Sequence, residues 1–319
     1  MSENTKIEWC DHTFNPWVGC TKISPACDHC YAEGWAKRSG QVVWSGERKR
    51  TSIANWRLPL KWNREAEASG TRPKVFCASL ADVFDNEVDP VWFTDLFELI
   101  EATPNLDWLL LTKRIGNVAK MVADGRWFPT HWPNVWIGAT ICNQAEADRD
   151  IPKLLAVPAA KRFLSMEPLL SPVELGLQCE NWSNEIVMDQ ETGAYECCKA
   201  CDFTGIGNAI DWVIVGGESG YNARPMHPDW ARSLRDQCDA AGVPFLFKQH
   251  GEWREPMTGE EFDTSMGRAA KPPAFIISHD GTVRCFEDDR FIKPKVVIRV
   301  GKKAAGRLLD GREWNGVPA

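Results

Sequence analysis

Six short apolar runs recur along the chain, each followed by a stretch with helical patterning. They are KVFCAS (74–79), WLLLT (108–112), VWIGAT (135–140), RFLSME (162–167), WVIVGGE (212–218) and PFLFKQ (244–249), mostly at intervals of roughly 30 residues. Short runs without strict apolar–polar alternation are what strands covered on both faces look like, and repeated strand–helix alternation is the pattern of parallel β/α units. The expectation is an α/β fold, built as a complete or partial (β/α) barrel. The helical stretches carry start and stop signals. Asp89-Pro90 opens VWFTDLFELI, where Phe93, Leu96, Phe97 and Ile100 make one apolar stripe. Pro228 opens DWARSLRDQCDAAG, which closes at Gly242.

The 319 residues are 44% hydrophobic and 25% charged, enough for one large domain or two modest ones. The first residues show no basic segment followed by an apolar run, and no stretch approaches the ~20 apolar residues of a membrane span. A cytoplasmic protein without a membrane partner is expected. In that reducing compartment the 12 cysteines read as thiols, so a tight cluster points to metal binding or catalysis rather than to a disulfide framework. The net charge of −7 argues against bulk non-specific binding to nucleic acid, and leaves room for a local basic patch.

The β/α rhythm assigns residues 1–250 to the barrel, interrupted by an insertion over roughly 176–208. Within the insertion Cys198 and Cys201 form a CxxC half-site, and Cys179 with Cys197 would complete four thiolates for zinc. Residues 251–319 read as a small α+β appendage, with FIISHDGTVRCF as a hairpin turning on Asp280-Gly281.

Sites in β/α barrels collect at the C-terminal ends of the strands. Here those ends carry Ser79 and Asp82, Lys113 and Arg114, Thr140 and Asn143, Glu167, Glu218 and Ser219, and Lys248, Gln249 and His250. Glu167, Glu218 and Lys248 are the candidates for orienting a substrate or moving protons. His12, His131 and His227 have no such placement and read as surface or core residues. Near the N-terminus, WVGCTKISPACDHCYAEGW sets Cys20, Cys27 and Cys30 six residues and then two apart. A closed zinc site wants four ligands, whereas three thiolates can hold three irons of a 4Fe-4S cluster and leave the fourth open to a substrate or cofactor. Low-potential clusters of that kind reduce S-adenosylmethionine (SAM).

NPWVGC followed by CDHCYA resembles the cysteine loop of radical SAM enzymes, and is most similar to the branch that includes spore photoproduct lyase-like proteins. ASLADVF, LLLTKR, FLSMEPLL, DWVIVGGESG, GVPFLFKQHGEW and KKAAGRLLDGREW resemble a phage and prophage family related to radical SAM enzymes, generally without an assigned reaction. The likeness spans most of the chain outside the insertion. The common radical SAM spacing is three residues then two, with an aromatic before the last cysteine. Here the first gap is six and His29 holds the aromatic position.

The resemblance implies a barrel of the radical SAM type and a 4Fe-4S cluster on Cys20, Cys27 and Cys30. It implies SAM as second cofactor, with Ser79 and Asp82 at its methionine end and Lys113 or Arg114 at its carboxylate. A flavodoxin- or ferredoxin-type reductant would supply one electron, and isomerase, lyase and base-modifying reactions are all compatible with the 5'-deoxyadenosyl radical that results. The substrate suggested is a nucleobase, such as a modified thymine in phage DNA. GERKRTSIANWRLPLKWNRE (46–65) sets Arg48, Lys49, Arg50 and further basic residues around Trp56 and Trp62, as a phosphate-contacting and base-stacking segment would. Two readings of other classes stand beside it. One is a zinc-stabilised binding protein using the three cysteines with His29 or Cys10, and the other is an iron-sulfur electron carrier.

Overall fold

All six apolar runs form strands in the computed structural model, which describes residues 3–40, 42–122, 131–177, 187–188, 195–196, 210–261, 273–284 and 290–319. A seventh strand precedes them. In chain order the strands are β1 (His12–Thr13), β2 (Lys74–Cys77), β3 (Asp107–Thr112), β4 (Val135–Thr140), β5 (Lys161–Met166), β6 (Trp212–Gly216) and β7 (Phe245–Gln249), and they follow one another in a seven-stranded sheet. Pairing is parallel from β1 through β4 and between β6 and β7. A mixed α/β fold whose parallel strands keep chain order is consistent with a partial barrel. Among the described residues no helix is long and apolar enough to cross a membrane.

The chain divides into two compact units, residues 1–140 with 150–163, and residues 141–149 with 164–319. In the first, Val75, Trp108, Leu109, Leu110, Val135 and Ile137 are wholly buried along β2 to β4. Its longer helices include α1 (Tyr31–Ser39), α2 (Leu58–Ser69) and α3 (Pro90–Glu101). Helix α3 starts where expected, with Asp89 Oδ1 accepting from Val91 N at 2.9 Å. It buries Leu96, Phe97, Leu99 and Ile100. Phe93 of the expected stripe is half-buried, with ring centroids 6.0 Å from Phe84 and 4.8 Å from Phe97. Gly138 in β4 has no alternative, because a Cβ there would lie 2.3 Å from the Phe163 ring.

Helix α4 (Gln144–Leu155) contributes residues to each unit. In the second unit α5 (Pro228–Ala241) buries Trp230, Ala231, Leu234 and Cys238 and ends at the left-handed Gly242, as its start and stop signals foretold. After residue 251 the β/α alternation stops. An antiparallel sheet takes over, of β8 (Trp253–Arg254), β9 (Ala274–Ile277), β10 (Val283–Arg284) and β11 (Lys295–Arg299), ordered β8-β11-β9-β10. The hairpin of β9 and β10 turns on Asp280-Gly281: Asp280 Oδ1 accepts from Thr282 N at 2.9 Å, and Gly281 takes φ +93°. The zinc candidates Cys179, Cys197, Cys198 and Cys201 lie outside the described residues.

Candidate functional site

The cysteine loop leaves the sheet directly after β1, and the buried Asn15 ties it down. Its Nδ2 donates to Ser79 Oγ at 2.9 Å and its Oδ1 accepts from Leu80 N at 2.7 Å, so the loops following β1 and β2 are cross-linked by one amide. Gly19 continues the link, donating N–H to Leu80 O at 3.1 Å, and its φ of +108° admits no side chain without strain. Cys20 follows. Cys27 closes a 3-10 turn, Pro25–Cys27, that is capped by Ser24 Oγ on Ala26 N at 3.1 Å. Cys30 caps α1, donating its N–H to Cys27 O at 3.3 Å while its side chain makes no capping bond. The two-residue spacing of Cys27 and Cys30 is therefore that of a turn entering a helix. All three thiols are free; Cys27 is buried and the other two are half-buried.

Cys20 sits beside two acids and a guanidinium. Arg114, immediately after β3, donates from Nη1 to Cys20 Sγ at 3.5 Å and from Nη2 to Thr21 O at 3.0 Å. Its Nη1 lies 3.7 Å from Asp82 Oδ2, and its Nε lies 3.8 Å from Asp85 Oδ1. Burial and then the Asp82 charge push the Cys20 thiol up to about 11, with the Arg114 charge opposing them. Asp85 is held from its other side by Arg48, which reaches Oδ2 from Nε at 2.8 Å and from Nη2 at 2.7 Å. Arg48 Nη2 also donates to Thr21 Oγ1 at 2.9 Å. The sequence reading passed over Asp85 and Asn15 as site residues, although Asn15 stands within the NPWVGC motif.

The donor set suits an iron-sulfur group: three soft sulfur donors on one short loop, one at a helix N-terminus and one under a guanidinium. Among the described residues no group of three or more His, Cys, Asp or Glu side chains converges on a single ion. A 4Fe-4S cluster asks something different of its cysteines, since each binds its own iron.

The strand-end residues are engaged with one another. Ser79 Oγ accepts from Asn15, and its carbonyl accepts from Tyr31 Oη at 2.6 Å. The Asp82 carboxylate accepts from Thr112 Oγ1 at 2.6 Å, Lys113 N at 2.9 Å and Phe84 N at 3.0 Å, which makes it the brace of the loop after β3. Lys113 Nζ donates to Thr140 Oγ1 at 3.3 Å.

In the second unit Glu167 and Lys248 form one ion pair, with Lys248 Nζ 2.9 Å and 2.7 Å from the two carboxylate oxygens. Gln249 Nε2 adds a third bond to Glu167 Oε1 at 2.9 Å, and among the described residues nothing donates to the buried Gln249 Oε1. Glu218 pairs instead with Arg224, accepting at 2.9 Å from Nε, 2.6 Å from Nη2 and 2.8 Å from the backbone N. Two glycines hold this region together. A Cβ on Gly217 would lie 2.1 Å from His250 O, and one on Gly251 2.1 Å from Glu218 O.

The basic segment is largely committed to the fold. Arg48 is buried on Asp85, and Arg50 bonds Asp95 at 2.6 Å while lying 4.4 Å over the Trp56 ring. Trp62 is 1% exposed and stacked on His12 with centroids 4.3 Å apart, so its faces are closed to a base.

No curated protein matches the chain. Among solved structures, a spore photoproduct lyase variant with bound AdoMet and dinucleoside spore photoproduct is similar, with a TM-score of 0.40 at 11% identity over 74% of this chain. The chain covers 63% of that protein's length. A family match spans nearly every residue: over 4–318 the chain belongs to the family described as "Protein of unknown function (DUF5131)".

Proposed function

We propose that this chain is a radical SAM enzyme whose 4Fe-4S cluster is held by Cys20, Cys27 and Cys30. The observation that supports this most is the placement of three free thiols on the loop leaving the first strand of a β/α sheet, with Cys30 at the start of α1. When bound, a cluster with one iron lacking a protein ligand supplies the electron that splits SAM into methionine and a 5'-deoxyadenosyl radical. Lys113, which has ammonium donors beyond its bond to Thr140, would take the SAM carboxylate, and Ser79 would contact the methionine end. Asp82 serves them by fixing the Lys113 backbone. Glu167 and Lys248 are a ready acceptor–donor pair for orienting a substrate or passing a proton, and Glu218 is held rigid by Arg224.

Anaerobic reconstitution tests the reading. The wild type should carry iron and sulfide at about four each per chain. With dithionite and SAM it should release 5'-deoxyadenosine, detected by mass spectrometry. Cys20→Ala, Cys27→Ala and Cys30→Ala should each lose the visible cluster absorption, whereas Cys77→Ala and Cys238→Ala, at buried core positions, should keep it. Stoichiometric zinc without iron would support the zinc-stabilised binding protein. A reducible cluster that neither binds nor cleaves SAM would support the electron carrier.

A further inference from the structure

Lys113 and Arg114 are neighbours at the end of β3, yet their side chains serve different partners: Lys113 reaches Thr140, and Arg114 reaches the cysteine loop. We propose that Arg114 is a positioning residue that orients Cys20 as a ligand and sets the redox potential of the cluster, an inference that rests on the cluster reading above.

The geometry argues for it in three steps. First, one planar guanidinium serves a sulfur and the next peptide at once, with Nη1 on Cys20 Sγ at 3.5 Å and Nη2 on Thr21 O at 3.0 Å. A fork of fixed donors can fix both the position and the direction of that thiol, which a single ammonium cannot do. Second, the guanidinium cannot swing away. Asp82 and Asp85 flank it at 3.7 Å and 3.8 Å, and each is itself anchored, Asp82 by Thr112, Lys113 and Phe84, and Asp85 by Arg48. Third, the Arg114 side chain is only 8% exposed, so water competes little for the N–H···S contact.

Hydrogen bonds to ligand sulfur are among the levers that set cluster potentials. A donor on the sulfur withdraws electron density and favours the reduced, more negative cluster, which raises the potential. The positive charge acts in the same direction as the directed N–H, and Asp82 and Asp85 offset only part of it in the wild type. Lysine at 114 would keep the charge without the fork, and would restore only part of the effect.

The experiment compares wild type, Arg114→Lys and Arg114→Gln after anaerobic reconstitution, reading iron and sulfide content and then the midpoint potential by a titration followed by electron paramagnetic resonance. Both variants should shift to more negative midpoints than the wild type, the glutamine variant further than the lysine variant. Midpoints unchanged in both, with clusters present at wild-type content, would overturn the proposal and leave the cluster reading standing. A wild type that takes up no iron and sulfide defeats the cluster reading, and this inference with it. If Arg114→Gln does not fold, the lysine variant decides: a negative shift supports the proposal and a wild-type midpoint overturns it.

Discussion

His227 is wholly buried at the mouth of α5, and its two ring nitrogens have opposite duties. Nδ1 accepts from Asp229 N at 3.2 Å, capping the helix, so the proton sits on Nε2, which faces Lys293 O at 2.9 Å. Protonating Nδ1 would remove the cap. Burial lowers the pKa first, and His279 and Lys295 add to it, against the opposing Lys293 carbonyl and Asp229. His12 and His250 are also lowered, again with burial as the largest cause. The unfolded chain therefore binds these protons at a pH where the folded one does not, below about 6.5. Their contribution to stability is complete above that value and is lost as pH falls through the lower folded values. Chemical denaturation between pH 7 and pH 5 should show falling stability, and His227→Asn, which keeps a capping oxygen, should flatten the fall. An identical pH slope in that variant would exclude His227 as a contributor. Sequence patterning located this helix start by its proline and passed over the histidine, because Ser, Thr, Asp and Asn are the usual caps. Asp85 was hidden for a related reason: an acid reads as solvated until the fold supplies a buried Arg48 to meet it.

At the scale of elements, the six strands were legible because each is buried on both faces and so leaves a continuous apolar run. β1 left no such trace. It has two residues, pairs His12 with Val75 and Thr13 with Phe76, and is identified only by its partner. The cysteine loop was legible in its chemistry and not in its anchorage, since the bonds of Asn15 to Ser79 and Leu80 span more than 60 positions of sequence. Glycine gives the sharpest contrast between elements. At the end of β6, Gly217 N donates to Gln249 O at 2.9 Å while its Cα packs against the His250 carbonyl. Gly217→Ala must push backbone aside and should cost ~1–3 kcal/mol or more. In α1, Gly34→Ala would meet only the far end of the Arg38 side chain at 3.3 Å and should stabilise by up to ~1 kcal/mol through helix propensity. Urea midpoints that moved the same way in the two variants would contradict this account.

For the whole molecule the governing quantity is a net charge of −7, which makes any approach to a polyanion costly unless a local group of cations leads it. The 46–65 segment looked like that group in the sequence. In the fold, Arg48 belongs to Asp85 and Glu87, Arg50 to Asp95, and Lys61 to Glu3 and Glu65. Lys49, Arg57 and Arg64 are its exposed cations. If the substrate is carried on DNA and this segment leads the contact, at most about three phosphates can be neutralised there, which limits the slope of log affinity against log salt to about −3 on duplex. Binding of single-stranded and duplex DNA should therefore be weak at physiological salt and shallow in its salt dependence. The combined Lys49→Glu, Arg57→Glu, Arg64→Glu variant should abolish it at low salt without loss of fold, because none of the three is buried. Arg48 is left out of that variant, since reversing it would bury a third carboxylate against Asp85 and unfold the loop whatever the ligand. A slope near −6, or binding untouched by the triple reversal, would put the nucleic-acid contact elsewhere on the molecule. No binding at low salt, with 5'-deoxyadenosine release stimulated by small molecules instead, would take DNA out of the reaction.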